Sequence, residues 1–303
     1  MFATRWTHLE NDAADYGVDM RLITWNVNSL KARLPRVLEL LAAHRPDVLC
    51  LQETKSTGEA FPHEALAAAG YRALDHSTGR WNGVALVVPV DVEVAGVERG
   101  LPGEPDPSEG RWIEASVPWP APGGATGGAT GADPGAEQRA APATVRVVST
   151  YVPNGREPGH AMFTAKLAFL DRMAARAQSL AASGPTVIAG DVNVAPEDRD
   201  VWDPAAFVGA THVTSEERAG LDAVVAAGYV DAFRAVAPDE VGFTWWDYRM
   251  GAFRRGMGMR IDLALVSSGL TVTGCEVDTT YRRANAAGDK PSDHAPLVVA
   301  LRG

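Results

Sequence analysis

Four short polar segments follow apolar runs in this sequence, each where a buried strand is expected to end. They are Thr24-Trp25-Asn26-Val27-Asn28, Leu51-Gln52-Glu53-Thr54, Gly190-Asp191-Val192-Asn193 and Ser292-Asp293-His294-Ala295-Pro296. Together they supply carboxylates, carboxamides and an imidazole from four distant parts of the chain. Such a set can hold a hard divalent cation and a phosphate at one point, because hard cations prefer oxygen ligands. Stability alone gives no reason to place acids after so many core strands.

Two of these segments place a carboxylate directly after an apolar run. Glu53 follows residues 48–51, and a carboxylate at such a position is costly unless it is paired or binds a metal. Asp191 follows Gly190, and its carboxylate can orient or deprotonate a water molecule. Asn193, two residues later, can hold a phosphate beside that water. The simpler interpretations are a helix cap or surface position for Glu53 and an Asx turn at Asp191.

Asp262 stands inside an apolar run, residues 261–266, in which both faces of a strand would be buried. A buried carboxylate without a partner charge is strongly destabilising, so Asp262 requires a cation. His294 is the candidate, because Asp262 would fix the tautomer of the imidazole and favour its protonated form. The imidazolium would donate to a phosphate oxygen that gains charge, and such donors contribute on the order of 3 kcal/mol each. The alternative is a structural histidine.

Two asparagines and a tyrosine extend the set. Asn26 and Asn28 are two residues apart at a strand end and therefore face the same side, where their carboxamides can hold a phosphate oxygen or a metal-bound water. Tyr151 ends another strand pattern and precedes the turn at residues 152–156, so its hydroxyl can reach the same phosphate. The alternatives are turn formation by the asparagines and a core position for Tyr151.

These residues need strands and helices that bring their ends together. Apolar patterns predict strands at 20–25, 47–51, 71–75, 83–88, 111–117, 144–151, 186–189, 243–246, 260–267, 271–277 and 297–301, and helices at 30–44, 62–69, 161–182 and 215–227. Thr214 and Glu217 form a candidate capping box for the last helix. Alternating helices and many strands indicate an α/β domain.

The composition limits the class of protein. The chain has 303 residues, of which 46% are hydrophobic, so it can build a sizeable core. Its formal net charge of −10 argues against coating nucleic acid by bulk electrostatics but leaves room for a local basic surface. Residues 249–260 contain four arginines and no acid, next to the Trp245-Trp246 pair. Arg282, Arg283 and Lys290 follow later in the chain and extend the candidate surface, whose simpler interpretation is a solvated loop.

Several observations bear on location and organisation. No apolar run approaches the roughly 18 residues that span a bilayer, and residues 1–19 lack the apolar core of a secretory signal. Cys50 lies in an apolar run and is expected in the core, so we expect a reduced, cytoplasmic protein without membrane association.

We expect residues 1–19 to be a disordered tail, with Met20 as a possible true start. Residues 118–142, rich in Pro, Gly, Ala and Thr, are expected to be a flexible insertion in a single catalytic domain, 20–303.

Six motifs resemble the exonuclease III-type apurinic/apyrimidinic endonucleases of the exonuclease–endonuclease–phosphatase superfamily. The similarity runs from Met20 to Leu301 apart from the 118–142 insertion. The motifs are Leu51-Gln52-Glu53-Thr54-Lys55, Tyr151-Val152-Pro153-Asn154-Gly155, Gly190-Asp191-Val192-Asn193, Trp245-Trp246-Asp247-Tyr248-Arg249, Arg260-Ile261-Asp262 and Ser292-Asp293-His294-Ala295-Pro296. The resemblance implies a DNase I-like α/β (α+β) four-layer sandwich, in which two mixed β-sheets pack face to face and are flanked by helices.

The resemblance also implies roles for individual residues. It assigns the metal centre to Glu53 as direct ligand with Asn26 and Asp293. It assigns the attacking water to Asp191, phosphate and transition-state contacts to Asn193, Tyr151 and His294, and support of His294 to Asp262. It places Trp245 against a flipped-out abasic sugar, with Met259 and Ile261 as neighbours, and brings Asn154 and Lys166 to the DNA backbone.

The function implied is that of a DNA-repair phosphodiesterase that uses Mg²⁺, with Mn²⁺ as a possible substitute. It would cleave 5′ to abasic sites in double-stranded DNA, would trim 3′ ends as a 3′-5′ exonuclease, and would act as a monomer. One alternative is a superfamily hydrolase of small phosphoesters such as inositol phosphates or sphingomyelin; the tryptophan pair and nearby arginines favour DNA. The other is a non-catalytic nucleic-acid-binding module, which would predict losses among the catalytic positions, and none is missing.

Overall fold

Two mixed β-sheets face each other at the centre of the molecule. The computed structural model describes residues 19–119 and 143–303. The predicted tail, apart from Asp19, and the predicted insertion, apart from Pro118 and Trp119, lie outside the described residues. Among the described residues, no helix has the length and apolar character required to cross a membrane.

The elements alternate along the chain much as their apolar periodicities predict. The strands are β1 Met20–Asn26, β2 Val48–Gln52, β3 Tyr71–His76, β4 Val84–Pro89, β5 Ala95–Arg99, β6 Trp112–Pro118, β7 Thr144–Tyr151, β8 Thr186–Asp191, β9 Tyr229–Asp231, β10 Trp245–Trp246, β11 Gly258–Met259, β12 Asp262–Ser267, β13 Thr271–Val277 and β14 Leu297–Arg302. The helices are α1 Leu30–His44, α2 His63–Ala68, α3 Ala161–Ser183, α4 Ser215–Ala226 and α5 Ala232–Val236.

Each sheet has six strands and one central parallel pair. The first sheet has the order β13-β14-β1-β2-β4-β3 and the second β5-β6-β7-β8-β12-β9. Strands β1 and β2 are parallel in the first sheet, and β7 and β8 are parallel in the second, whereas the other neighbours are antiparallel. Parallel neighbours end at the same edge of a sheet, so the polar residues that follow them come together.

Alternation along the central strands gives each sheet two apolar faces. Cys50 of β2 and Ala189 of β8 belong to the core between the sheets, as predicted for Cys50. Leu49 of β2 packs under α1 and α2 on the outside of the first sheet, and Ile188 of β8 packs under α3 and α4 on the outside of the second. The layers are therefore helix, sheet, sheet, helix, and the predicted fold class is confirmed.

Helix α4 begins with the capping box that its sequence predicts. The Thr214 hydroxyl accepts the Glu217 backbone N–H at 3.2 Å, and the Glu217 carboxylate accepts the Thr214 N–H at 3.0 Å. These bonds satisfy two donors of the first turn that have no partner inside the helix. They also turn the Glu217 side chain back into the protein, toward the loop at residues 211–212.

Candidate active site

The functional side chains collect at one end of the sandwich, where the central strands of both sheets end. Asn26 ends β1 and Glu53 follows β2, while Tyr151 and Asp191 end the parallel strands of the second sheet. The pocket at this end has a volume of about 200 Å³. Its lining consists of Glu53, Tyr151, Asn154, Asp191, Asn193, His212, Trp245, Met259, Ile261, Asp293 and His294.

Asn26 joins the two sheets across this pocket. Its Nδ2 donates to Glu53 Oε1 and to Asp191 Oδ2, both at 2.9 Å. Its Oδ1 accepts the backbone N–H of Asn28 at 3.0 Å. Asn26 therefore holds the two carboxylates in place, and its predicted role at the metal centre stays a prediction.

His294 and Asp262 form the pair that the buried position of Asp262 required. His294 Nδ1 donates to Asp262 Oδ2 at 2.8 Å, and His294 Nε2 lies 3.8 Å from Asp191 Oδ2. Burial alone would lower the pKa of His294, but Asp262 and then Asp191 and Asp293 raise it to about 10. The ring is therefore an imidazolium, and Nε2 presents a proton toward the pocket.

Asp191 lies in the most acidic part of the pocket. Burial raises the pKa of its carboxyl to about 8, with further contributions from Asp262 and Glu53, while His294 opposes the shift. Its Oδ1 accepts the backbone N–H of Asn193 at 3.0 Å, which closes the Asx turn that the sequence offered as the simpler interpretation of Asp191. The turn leaves Oδ2 directed at the cluster with Glu53 and His294.

Tyr151 faces the same cluster from β7. It is the direct neighbour of Asp191 in the parallel register of β7 and β8. Burial, and then the charges of Glu53 and Asp191, raise its pKa well above the ordinary value. The Arg111 guanidinium lies 4.8 Å from the centre of the tyrosine ring. The hydroxyl therefore keeps its proton at neutral pH and is available as a hydrogen-bond donor.

Asp293 is engaged on both of its oxygens. Oδ1 accepts from Asn28 Nδ2 at 2.9 Å, and Oδ2 accepts from Trp245 Nε1 at 3.2 Å. Asn28 in turn accepts from Lys55 Nζ at 2.6 Å, and Lys55 pairs with Glu53 at 2.7 Å. Asp293 thus orients Trp245 and lines the pocket with Glu53, and its predicted role at the metal centre stays a prediction.

The carboxylates suit a divalent cation. One ligand atom each from Glu53, Asp191 and His294 lies within 4.8 Å of the others. Two acids at this distance repel each other, and the raised pKa of Asp191 reflects that repulsion together with burial. Oxygen donors of this kind fit Mg²⁺, whereas the protonated His294 is a donor rather than a ligand. The geometry therefore fits a cation held by Glu53 and Asp191.

Three side chains form the apolar wall of the pocket. Trp245 is half-buried, and its backbone pairs with Met259 across β10 and β11. Met259 and Ile261 are 3% and 2% exposed, and both pack in one cluster with Trp245. These predicted substrate-binding positions therefore lie together, next to the acidic cluster.

Lys166 does not lie where the sequence resemblance places it. The prediction that it approaches the DNA backbone is wrong, because its side chain is fully buried. Its Nζ donates to Asn193 O at 2.6 Å, to Asn154 O at 3.3 Å and to the Glu217 carboxylate. Lys166 thus stabilises the backbone of the pocket residues Asn154 and Asn193 from the protein interior. Asn154, by contrast, is exposed and lines the pocket, and its contact with the DNA backbone stays a prediction.

The predicted basic surface is smaller than its sequence suggests. Arg260 is fully buried and pairs with Asp200 at 2.7 Å and with Asp231 at 2.6 Å. Arg282 is also buried and donates to Trp246 O at 3.0 Å. The arginines and lysine that do remain exposed are Arg249, Arg254, Arg255, Arg283 and Lys290.

Sequence reasoning missed one pocket residue, His212. A single histidine in a polar loop has no distinguishing pattern, and only the fold reveals its place beside Asn154 and Asn193. Lys55, which belongs to the motif at residues 51–55, also contributes to the site because it pairs with Glu53. The signal for Lys55 was its position two residues after a candidate ligand.

Comparison with known proteins places the chain in a family. Residues 23–294 match the Endonuclease/Exonuclease/phosphatase family. The chain belongs to this family. The resemblance that its motifs carry is thereby confirmed, as is its class as a phosphodiester hydrolase of the exonuclease III type.

Relatives within the endonuclease/exonuclease/phosphatase family align over nearly the whole chain. Exodeoxyribonuclease III of Haemophilus influenzae is 30% identical, over 92% of this chain and 98% of its own length. The solved structure of the 3′ phosphatase NExo from Neisseria, bound to a product DNA hairpin, has a TM-score of 0.81 and 32% identity, covering 94% of this chain and 100% of that one. An AP endonuclease from Archaeoglobus fulgidus has a TM-score of 0.78 and 31% identity, covering 92% and 98%.

Proposed function

We propose that this chain is an Mg²⁺-dependent DNA-repair nuclease that cleaves the backbone 5′ to abasic sites and also removes nucleotides from 3′ ends of duplex DNA. The observation that carries the proposal is the cluster of Glu53, Asp191 and His294, whose ligand atoms lie within 4.8 Å of one another beside a wall formed by Trp245 and its neighbours. The names of the relatives point the same way. The monomeric state and the cytoplasmic location stay predictions.

Asp191 and Asn193 provide the means to direct a water molecule. The Asx turn fixes the Asp191 carboxylate through the N–H of Asn193, so one oxygen stays aimed into the pocket. An ionised Asp191 accepts a proton from water as the water attacks phosphorus, which is general base catalysis. The Asn193 side chain is held by its bond to Val152 O at 2.9 Å, and in this proposal it would contact the attacked phosphate.

His294 and Tyr151 supply hydrogen-bond donors for the phosphate oxygens. The imidazolium of His294 is held by Asp262 and cannot rotate without breaking a buried bond. The Tyr151 hydroxyl keeps its proton because its pKa is raised. Donors fixed before the reaction stabilise the charge that grows on phosphate in the transition state without reorganisation.

Glu53, assisted by Asn26 and Asp191, would hold the divalent cation. Mg²⁺, or Mn²⁺ in its place, would neutralise charge on the phosphate and favour the ionised form of Asp191. Asn26 and Lys55 keep the Glu53 carboxylate in position through its two oxygens.

The apolar wall favours DNA with a missing base over a small phosphoester. A deoxyribose without its base presents a compact, largely apolar face that can pack against Trp245, Met259 and Ile261, and chemistry on a flipped-out nucleotide requires such a pocket. Exposed Arg249, Arg254 and Arg255 lie in the segment that follows β10, where duplex phosphates would be held.

The test uses three substrates: a duplex with one tetrahydrofuran abasic analogue, an intact duplex with a recessed or 3′-phosphorylated end, and an inositol phosphate. The wild-type protein with Mg²⁺ should nick the first substrate 5′ to the analogue and leave a 3′-hydroxyl, and EDTA should abolish the reaction. Asp191→Asn should lower the rate by about 1000-fold. Asp198→Asn, an exposed aspartate after the same strand, is the matched control and should be unaffected. Hydrolysis of the small ester alone would overturn the DNA proposal.

A further inference from the structure

One histidine of the pocket has no part in the chemistry described so far. His212 lies in the loop before α4, lines the pocket beside Asn154, and is only 8% exposed. Its backbone has a φ of 78°, in the left-handed region that a residue with a side chain rarely adopts. Strained backbone of this kind persists only where the surroundings hold it, and it concentrates at functional sites.

The surroundings of His212 hold the loop through a buried acid. Glu217 Oε1 accepts the His212 backbone N–H at 2.9 Å and the Thr211 hydroxyl at 2.7 Å, and it pairs with Lys166. All of these bonds end on one fully buried carboxylate. The position of the His212 ring is therefore fixed from the protein interior rather than by solvent.

The tautomer of His212 follows from its neighbours. Nδ1 lies 2.6 Å from Asn193 O, and since a carbonyl only accepts, Nδ1 carries the proton. Burial, with the nearby charge of Lys166, lowers the pKa of His212 to about 4, so the ring is neutral. Nε2 is then an acceptor, and it faces Asn154 Nδ2 at 3.5 Å.

These bonds give His212 two points of contact with Asn193. The first is direct, through the Asn193 carbonyl. The second runs through Asn154, whose Nδ2 also donates to Asn193 Oδ1 at 3.3 Å. Asn193 itself has a φ of 55°, a conformation that asparagine tolerates, so these contacts act mainly on the orientation of its side-chain amide.

We propose that His212 is a positioning residue of this active site: its imidazole holds Asn193, directly and through Asn154, so that the Asn193 amide meets the phosphate of the DNA substrate. This rests on the proposed function. His212→Ala removes both contacts and should lower kcat for abasic-site incision by about 10-fold with little change in KM, the cost typical of losing a residue that orients a functional group.

A conservative variant separates positioning from mere packing. In His212→Asn the side-chain amide can keep the donor to Asn193 O, and asparagine tolerates the left-handed region, so part of the lost kcat should return. His63→Asn, an exposed histidine in α2, is the control and should retain wild-type rates. Equal kcat values for His212→Ala and wild type, with only the melting temperature lowered, would make His212 a structural residue and overturn the proposal.

The route through Asn193 is tested by a double-mutant cycle. In an Asn193→Ala background the effect of His212→Ala should shrink to about twofold or less, because residues that act together are not additive. An undiminished effect would contradict positioning through Asn193.

The nitrogen-15 chemical shifts of the His212 ring provide a second measurement, which needs no substrate. They should report a neutral imidazole with its proton on Nδ1 at pH 7, and a charged ring would refute the proposal. A wild-type protein inactive on every DNA substrate would instead remove the proposed function.

Discussion

Asp262 and Asp191 are direct partners in the antiparallel register of β12 and β8, and the His294 imidazole lies within reach of both. The two acids have different tasks because their surroundings differ. Asp262 is fully buried and bonded to Nδ1, whereas Asp191 is 3.8 Å from Nε2 and opens to the pocket. The His294 imidazolium thus neutralises Asp262 and leaves the Asp191 carboxylate available at the pocket.

Replacement of Asp262 should change the pH profile as well as the rate. Because Asp262 raises the pKa of His294 to about 10, the charged form is present below that pH and is lost as the pH rises through it. In Asp262→Asn the His294 ring should lose its positive charge at a lower pH, nearer the ordinary pKa of histidine. We expect kcat at pH 7.5 to fall about 100-fold and the decline at alkaline pH to begin earlier. Asp222→Asn, an exposed aspartate of α4, should leave both unchanged.

Glu53 should determine affinity for the divalent cation. Glu53→Gln removes one charge from the cluster while its size and its bond from Asn26 can be kept. We expect the Mg²⁺ concentration at half-maximal rate to rise about 10-fold or more. Calorimetric titration of Mg²⁺ into the protein checks the same point without DNA. The control is Glu59→Gln in the exposed segment that follows, and an unchanged titration for Glu53→Gln would exclude Glu53 as a ligand.

Trp245 should discriminate between substrates. Trp245→Ala removes the aromatic wall, and the apolar surface that it would bury against the sugar contributes roughly 25 cal/mol per Å². We expect incision at the tetrahydrofuran site to fall about 10-fold, with a smaller effect on an inositol phosphate. Trp245→Phe keeps an aromatic face but loses the N–H that Asp293 accepts at 3.2 Å, so it separates packing from hydrogen bonding. Equal losses in both variants would assign the effect to the hydrogen bond.

The Lys166–Glu217 pair should make stability depend on pH. Burial would raise the pKa of Glu217, but Lys166 and the bonds from Thr211 and His212 lower it to about 2. A carboxyl with a lowered pKa contributes stability above its unfolded value, near 4.3, and loses it as the pH falls toward about 2. Glu217→Gln leaves Lys166 buried without its counter-charge and should cost about 3 kcal/mol in urea unfolding at pH 7.

The same variant should flatten the pH dependence of stability between about pH 5 and 2, since the titrating group is gone. The neighbouring exposed residue gives a matched control, Glu216→Gln, which should unfold like the wild type at every pH. If the two variants behaved alike, the buried pair would have no special role in stability.

Site residues that directly follow a strand could be predicted from the sequence. Site residues that lie in loops could not. Glu53 and Asp191 were recognisable because an acid after an apolar run has few structural explanations. His212 was not, because its place depends on a backbone turn that Glu217 holds from another element. The short edge strand β5 and the three-residue β9 were also missed, because their apolar patterns are too brief to register.

Three basic side chains that the sequence assigned to DNA contacts or to a basic surface are buried: Lys166, Arg260 and Arg282. Lys166 stands on a helix and Arg260 precedes a strand, and both were assigned to contacts with DNA or to a basic surface. A charged residue is buried only when distant acids meet it, and Glu217, Asp200 and Asp231 come from other parts of the chain. Such pairs are invisible until the tertiary arrangement is known.

The hydrogen bond between His294 and Asp262 crosses the interface between the two β-sheets of the sandwich. His294 comes from the segment before β14 in one sheet, and Asp262 begins β12 in the other. Neither half carries a working set of groups by itself, so turnover reports on correct closure of the whole assembly. A chain whose two sheets had formed without docking would lack the assembled site and would therefore be inactive.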